Sequence, residues 1–284
     1  MTRRLPVLLL GALLAAVGLG CGGRPYTAAE TAAPVPPLNY AETTVDGHRL
    51  LADDPAGSGR VVEVLGGLDN AEHVAVVVPG SGQTRANFRA SGAHPGAVPL
   101  ANGRALHAEM RERAPGRKTA VVVWLGYLPP QGYGPELAHL GAAEQGADAL
   151  VRFTRDVLPA DAHVTLACHS YGTAVCGLAA TRPGVAGDVV ALASPGMGVA
   201  DADAIRARVW TTRAPGDWIA WVPSLRIGPL GLGGDPMNPD FGATRFAAGD
   251  ISGHTRYYHP GSAALAGTAS ISLGEGDAVA GDRP

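Results

Sequence analysis

The chain has 284 residues, with 22 lysines and arginines, 25 aspartates and glutamates, and a formal net charge of −3. Because the two signs are nearly balanced and no basic stripe is present, nucleic acid is not expected as a partner. A chain of this size has ample length to bury the core of one large α/β domain.

The N-terminal segment has the pattern of a secretory signal. Arg3 and Arg4 precede an apolar run, residues 7–20, that is shorter than the ~20 residues needed to span a bilayer. Cys21 follows and resembles the acylated cysteine of a bacterial lipoprotein, although Gly18 stands where that signal usually has leucine. We therefore expect an extracytoplasmic lipoprotein attached to the cell membrane through Cys21, with free secretion or an uncleaved anchor as alternatives.

This pattern divides the chain into three segments. Residues 1–20 are the expected signal peptide. Residues 21–40 are rich in alanine, proline and threonine and are expected to form a flexible tether. Residues 41–284 form the expected folded domain.

The predicted domain alternates between buried strands and helices. Strands are expected where β-branched and apolar residues run without a break, as in a parallel sheet covered on both faces. No hairpin signal separates two of these strands, so we expect an α/β fold with a doubly wound, mostly parallel sheet. Residues 218–249 have no clean period and are expected to form a loop-rich cap, and the tail after residue 274 is expected to fray. The predicted strands are 60–65, 73–78, 119–124, one beginning at 164, 188–193 and 207–212, and the predicted helices are 100–113, 135–158, 172–181 and 260–267.

A strand, an abrupt turn and an alanine-rich helix meet at residues 168–172, with Ser170 at the apex. This pattern is typical of the nucleophile elbow, in which a serine in a strained turn needs small residues two positions away on either side. Gly172 meets this need fully. Cys168 meets it only in part, because the usual residue there is glycine. Ser170 is therefore a candidate nucleophile, with a serine in an ordinary turn as the alternative.

Two later residues complete a candidate proton relay. Asp217 follows a strand end and His254 follows the predicted cap. A serine hydroxyl needs an imidazole to accept its proton and a carboxylate to hold that imidazole in the right tautomer. The order serine, aspartate, histidine is the one found in α/β-hydrolases. The alternatives are a helix N-cap for Asp217 and a loop position for His254, and His259 competes with His254.

Backbone and aromatic groups near the elbow are candidates for substrate binding. Small residues at 80–82 follow a strand and let backbone N–H groups approach a substrate. The N–H groups of Ser81 and Tyr171 are the candidate oxyanion donors, with a plain glycine turn as the alternative. Trp218 and Trp221 are tentative walls of an acyl pocket, with core packing as the alternative.

The other polar residues receive structural interpretations. His169 is expected to point away from the apex and to pack within the sheet. Cys168 and Cys176 are expected to be two buried thiols, because their positions in a strand and the next helix favour a Cα separation beyond the ~7 Å limit for a disulfide. A disulfide is the alternative. Asp201 and Asp203 look like helix-start residues, Asp235 and Asp240 are alternative acids, and His48, His73, His94, His107, His139 and His163 show no metal-type spacing.

Eight short stretches carry a resemblance that covers about residues 60–270. They lie at residues 76–80, 124–127, 146–150, 169–172, 193–196, 214–217, 241–243 and 253–254. Together they resemble an α/β-hydrolase family of unknown function that is common in actinobacteria. The resemblance implies an α/β-hydrolase fold with Ser170, Asp217 and His254 at the nucleophile, acid and base positions, and Cys168 departs from the family's glycine.

The leading functional expectation is an extracytoplasmic serine hydrolase that acts on carboxylic esters through an acyl-enzyme. The expected partner is a small-molecule or lipid-like ester, and no metal or organic cofactor is implied. Two alternatives use the same fold. One is an inactive, surface-tethered binding protein, and the other is an acyltransferase that passes the acyl group to a different acceptor.

Overall fold

The computed structural model describes residues 35–90, 97–132, 135–224 and 230–279, so the predicted signal peptide and Cys21 lie outside the described residues. Among the described residues, nine strands form one sheet. They are β1 (Thr43–Val45), β2 (His48–Asp54), β3 (Arg60–Gly66), β4 (His73–Val78), β5 (Thr119–Leu125), β6 (His163–His169), β7 (Asp188–Leu192), β8 (Arg208–Thr212) and β9 (Thr244–Arg245). Their order in the sheet is β1-β2-β3-β5-β4-β6-β7-β8-β9.

Helices cover both faces of this sheet. They are α1 (Pro99–Arg113), α2 (Gly141–Asp156), α3 (Gly172–Ala179), α4 (Ala263–Ser272) and α5 (Gly276–Val279), with 3-10 helices at Pro135–Ala138, Ala202–Ala204, Trp218–Trp221 and Pro239–Phe241. Buried side chains of α2 and α3 join the core on one face. Those of α1 and α4 join the core on the other.

Strands β4 to β9 are parallel to one another, which confirms the doubly wound, mostly parallel sheet of an α/β-hydrolase fold. Side chains alternate along β4, with Val74, Val76 and Val78 in one core and Ala75 and Val77 in the other. Because both faces are covered, the strand sequence is apolar without alternation, as the sequence indicated.

The N-terminal part of the sheet is antiparallel, and it begins with β1 and β2, two strands that are not among the predicted ones and are joined by a hairpin. Strand β1 pairs antiparallel with β2, β2 with β3, and β3 with β5. Asp46 and Gly47 join β1 to β2 with φ angles of 50° and 78°. An Asp-Gly pair with both φ angles positive is the favoured two-residue hairpin turn.

The predicted cap is rich in loops, and it also contributes to the core and to the sheet. Ile219, Phe241 and Phe246 are buried. Strand β9 pairs with β8 and extends the sheet edge.

The C-terminal helices differ from their predicted bounds. Helix α4 begins after Ser262, whose hydroxyl caps it by accepting from the N–H of Leu265 at 3.1 Å. The tail after residue 274 was expected to fray, but α5 packs there. A Cβ added to Gly276 would lie 2.5 Å from the ring of Trp210, so only glycine lets the helix approach this closely.

Candidate active site

The elbow presents Ser170 on a strained turn between β6 and α3. Its φ is 54°, in the left-handed region that costs about 1–3 kcal/mol for residues other than glycine. A Cβ added to Gly172 would lie 2.7 Å from the carbonyl oxygen of Val78, so glycine is required where α3 passes the end of β4. The strand–turn–helix geometry predicted for residues 168–172 is therefore present.

Ser170, His254 and Asp217 form one hydrogen-bonded chain. The His254 Nε2 atom lies 2.9 Å from Ser170 Oγ. On the other side of the same ring, Nδ1 lies 2.8 Å from Asp217 Oδ1. Since a carboxylate only accepts, Nδ1–H donates to Asp217, and Nε2 is left to accept the Ser170 hydroxyl. The structure thus brings together the three side chains predicted as nucleophile, base and acid.

Asp217 is buried at the end of β8 and is also the N-cap of the 3-10 helix at Trp218–Trp221. Its carboxylate accepts from the N–H of Ile219 at 3.0 Å and from the hydroxyl of Tyr257 at 2.6 Å. Burial raises the pKa of Asp217, but the hydrogen bonds from His254 and Tyr257 outweigh it, and the net pKa is lowered. Asp217 is therefore a carboxylate at neutral pH. The N-cap interpretation is confirmed, and the same carboxylate contacts His254, while its part in a proton relay stays a prediction.

His169 lies in the site, so the expectation that it points away and packs within the sheet is wrong. Its Nε2–H donates to the backbone carbonyl of His254 at 2.6 Å, and the two rings are 4.8 Å apart between centroids. Removal from water, followed by the neighbouring imidazole of His254, lowers the pKa of His169 to about 3. The ring is therefore neutral at physiological pH.

The backbone after β4 lies against the elbow. A Cβ added to Gly80 would be 2.8 Å from the Cβ of Ser170 and 3.2 Å from the backbone nitrogen of Tyr171. Ser81 follows directly and lines the same cavity as Ser170. The two segments predicted to supply the oxyanion donors, Ser81 and Tyr171, are therefore adjacent, and their role as donors stays a prediction.

A cavity of about 390 Å³ opens above Ser170 and His254. Trp218 is half exposed, lines this cavity and places its ring 4.7 Å from that of His254. Trp221 is 66% exposed and is not among the cavity-lining residues. Neither ring is packed in the core. Other parts of the wall come from Val77, Pro79, Ala97 and Pro99.

The competing candidates lie elsewhere. His259 is exposed, and its ring contacts only the neighbouring Pro260 carbonyl among the hydrogen bonds recorded for the described residues. Asp235 pairs with Arg213 at 2.7 Å, and Asp240 is exposed. Asp201 caps the 3-10 helix at Ala202–Ala204, as predicted. Within the described ranges, no group of three histidine, cysteine, aspartate or glutamate side chains is arranged to hold a metal ion.

Cys168 and Cys176 form a disulfide, so the expectation of two free thiols is wrong. Their Cα atoms are 6.5 Å apart, within the range that a disulfide spans. The sharp turn at Ser170 folds α3 back along β6, and this brings the second turn of the helix beside the last part of the strand. The bond closes a loop that contains Ser170, and both sulfur-bearing side chains are buried.

Two residues of the site, Tyr257 and His169, were not predicted. Tyr257 contacts Asp217 through a loop conformation for which no local sequence signal exists. His169 lies next to the serine, and only the path of the loop that carries His254 brings a carbonyl to its ring.

No helix among the residues described combines the length and hydropathy that a membrane span needs.

The sequence model of the family described as alpha/beta hydrolase matches residues 54–227. The chain is 32% identical to Uncharacterized protein Rv2079 of Mycobacterium tuberculosis over 270 residues, covering 82% of this chain and 40% of that protein. It thus spans less than half the length of this relative. It is 30% identical to Uncharacterized protein Rv0963c of the same organism, covering 74% of this chain and 76% of that protein.

Solved structures of similar architecture include carboxyl esterase 2 of Tuber melanosporum, with 12% identity, a TM-score of 0.42, and coverage of 97% of this chain and 100% of that chain. XC6422 of Xanthomonas campestris, an a/b serine hydrolase without lid, has 15% identity, a TM-score of 0.40, and coverage of 84% and 96%. Membership is shown by the family match and by the mycobacterial relatives. This chain belongs to the alpha/beta hydrolase family.

Proposed function

We propose that this protein is a serine hydrolase that cleaves carboxylic esters through an acyl-enzyme. The observation that carries the proposal is the hydrogen-bonded chain from Ser170 through His254 to Asp217, whose serine end faces the cavity. The two links use different nitrogens of one ring, as a base that takes a proton from one partner and is oriented by another requires.

In the acylation step, Ser170 Oγ attacks the ester carbonyl carbon while its proton moves to Nε2 of His254. The carboxylate of Asp217 stabilises the imidazolium that forms. Negative charge develops on the carbonyl oxygen, for which the N–H groups of Ser81 and Tyr171 are the proposed donors. The imidazolium then gives its proton to the departing alkoxide, and the acyl group stays on Ser170.

In the deacylation step, water takes the place of the alcohol. His254 accepts a proton from the water as its oxygen attacks the acyl carbon, and the same proton then returns to Ser170 Oγ as the carbon–oxygen bond breaks. One ester and one water give one carboxylic acid and one alcohol. Diversion of the acyl group to another acceptor would make the protein an acyltransferase, and no observation favours that outcome.

The cavity supports an ester as substrate class. Its walls include the aliphatic side chains of Val77 and Pro99 and the ring of Trp218, which suit an acyl or alkyl group. Its volume of about 390 Å³ suits a small or medium ester.

We propose an extracytoplasmic location with a lipid on Cys21. The disulfide between Cys168 and Cys176 supports this location, because such bonds persist in oxidising compartments. The mass of the N-terminal peptide of the mature protein tests it. A mature chain that begins elsewhere than Cys21, or that carries no lipid there, would contradict the lipoprotein proposal.

Hydrolysis of p-nitrophenyl butyrate by purified protein tests the proposed activity. We expect turnover by the wild type, no turnover above background for Ser170→Ala and His254→Ala, and near wild-type turnover for His259→Ala. An inactive wild type, tested also with longer esters, would favour a binding protein. An active His254→Ala with an inactive His259→Ala would reverse the assignment of the base.

A further inference from the structure

We propose that His169 and Tyr257 are positioning residues that hold the base and the acid of this site from two sides. The inference rests on the proposed function. It assigns to these two side chains a role exerted through His254 and Asp217, with no direct contact to the reacting atoms required.

The base lies on a loop that needs such support. No helix or strand is assigned between β9 and α4, the segment that carries His254. A side chain on irregular backbone keeps a fixed position only where tertiary contacts hold it. One such contact is the backbone hydrogen bond from the N–H of Gly253 to the carbonyl of Pro215 at 3.2 Å. His169 and Tyr257 make further contacts that act on the base and the acid themselves.

Tyr257 fixes the acid from the buried side. Its hydroxyl donates to Asp217 Oδ2 at 2.6 Å and accepts from the N–H of Ala214 at 2.8 Å. The ring is fully buried, so the hydroxyl cannot turn to water. Asp217 Oδ2 is thereby held, and Oδ1 is directed to His254. Tyr257 lies three positions after His254, so the same bond also ties the loop of the base to the segment that carries the acid.

His169 fixes the backbone of the base. Its Nε2–H donates to the carbonyl of His254 at 2.6 Å, and its ring packs between the rings of His254 and Tyr257, at centroid distances of 4.8 and 5.7 Å. A positive charge on His169 would lie close to the imidazolium that His254 becomes and would oppose its formation. The low pKa of His169 keeps the ring neutral and avoids this repulsion.

Three variants test the proposal: Tyr257→Phe, His169→Leu and His169→Gln. They remove or keep one hydrogen-bond donor while leaving a side chain that fills most of the same space. Glutamine keeps an N–H donor near the position of Nε2, whereas leucine has none. Tyr40→Phe and His73→Gln are matched controls. Tyr40 bonds to the indole of Trp124, and His73 begins β4 at the end of that strand away from the cavity.

Kinetics on p-nitrophenyl butyrate should be measured at 15 °C, where circular dichroism verifies that each variant is folded. Tyr257→Phe and His169→Leu are expected to lower kcat by about tenfold to a hundredfold, the range for losing one hydrogen bond to a charged or catalytic group. For Tyr257→Phe the KM stays within about twofold, because the side chain does not reach the substrate. His169→Gln recovers most of the loss, and the controls keep wild-type kcat.

Either of two results would overturn the proposal. One is equal activity of His169→Gln and His169→Leu, and the other is a kcat of Tyr257→Phe within twofold of the wild type. If Tyr257→Phe does not fold, the comparison of His169→Gln with His169→Leu still decides the role of His169, and equal activity of these two variants still overturns the proposal.

A spectroscopic readout separates this inference from the proposed function. The proton between His254 Nδ1 and Asp217 is expected as a downfield ¹H NMR resonance that Asp217→Asn abolishes. It is expected to shift or broaden in Tyr257→Phe and His169→Leu and to be unchanged in Tyr40→Phe. If the wild type hydrolyses no ester, this result still tests the positioning role. An unchanged resonance in both variants would refute it.

Discussion

Two histidine–aspartate pairs lie at opposite ends of the parallel strands of the same sheet. At the start of β7, Asp188 contacts His163 at 2.9 Å, and at the end of β8, Asp217 contacts His254 at 2.8 Å. Both carboxylates are buried. Both also have lowered pKa values, because hydrogen bonds outweigh the effect of burial.

The pairs differ in what else they touch. Asp188 also binds the guanidinium of Arg208 at 2.9 Å, so a permanent cation balances its charge. The Nε2 atom of His163 faces Asp188. His254 instead gives one nitrogen to Asp217 and the other to Ser170. A histidine–aspartate contact is therefore not a site by itself. A relay needs both ring nitrogens, a nucleophile and an open cavity.

The largest expected contrast is in kcat, when each of the two aspartates is replaced by asparagine. Asp217→Asn should lower kcat by about 10⁴-fold, because the amide favours the wrong tautomer of His254. Asp188→Asn should leave kcat of the folded protein nearly unchanged. It should lower the free energy of unfolding by about 1–3 kcal/mol, because the hydrogen bonds that the buried carboxylate accepts are weakened, whereas Arg208 is half exposed and is solvated by water. Ester kinetics and urea unfolding of both variants measure this. Comparable kcat losses in the two would show that the pairs are not functionally distinct.

A smaller effect, on stability, is expected from removing the disulfide. This bond lies at the end of the sheet that carries Ser170 and His254, and not at the end that carries Asp188. The double variant Cys168→Ala/Cys176→Ala should lower the free energy of unfolding by about 2–3 kcal/mol, the range for closing a short loop. A phosphine reductant should lower the melting temperature of the wild type and leave that of the double variant unchanged. Two free thiols, titrated in the unfolded, non-reduced domain without Cys21, would contradict this bond.

The smallest expected effect concerns pH. The pKa of His169 is lowered to about 3 in the folded protein, below its ordinary value of about 6.5 in an unfolded chain. Between these values the unfolded state binds more protons, so stability is lost as pH falls below 6.5. His169→Gln should therefore lose about 1 kcal/mol less stability than the wild type between pH 7 and pH 5, allowing for solvent near the ring. The exposed His259→Gln is the control, and equal losses in all three proteins would exclude this account.

Much of the parallel half of the fold was predictable because its signals are local. Unbroken apolar runs predicted the strands from β4 to β8, and small residues around Ser170 predicted the elbow. The Asp46-Gly47 hairpin also had a local signal, which was missed. The chain order of Ser170, Asp217 and His254 predicted three side chains that the fold brings together, although their catalytic role remains a proposal.

What could not be predicted depends on tertiary geometry. The disulfide requires the angle at which α3 leaves the elbow, because that angle sets the distance between Cys168 and Cys176. The contacts of Tyr257 and His169 depend on an irregular loop whose path no propensity specifies. The exposure of Trp221 depends on which side of its short 3-10 helix faces the cavity.

The most direct test of the central claim is covalent labelling with a fluorophosphonate, followed by mass spectrometry of the peptide that contains residue 170. The wild type is expected to carry one adduct, on Ser170, and His163→Ala is expected to react at the wild-type rate. His254→Ala should react at least about a hundredfold more slowly, because the serine loses its base. Absence of labelling in the wild type, or an adduct that persists in Ser170→Ala, would contradict the proposed nucleophile.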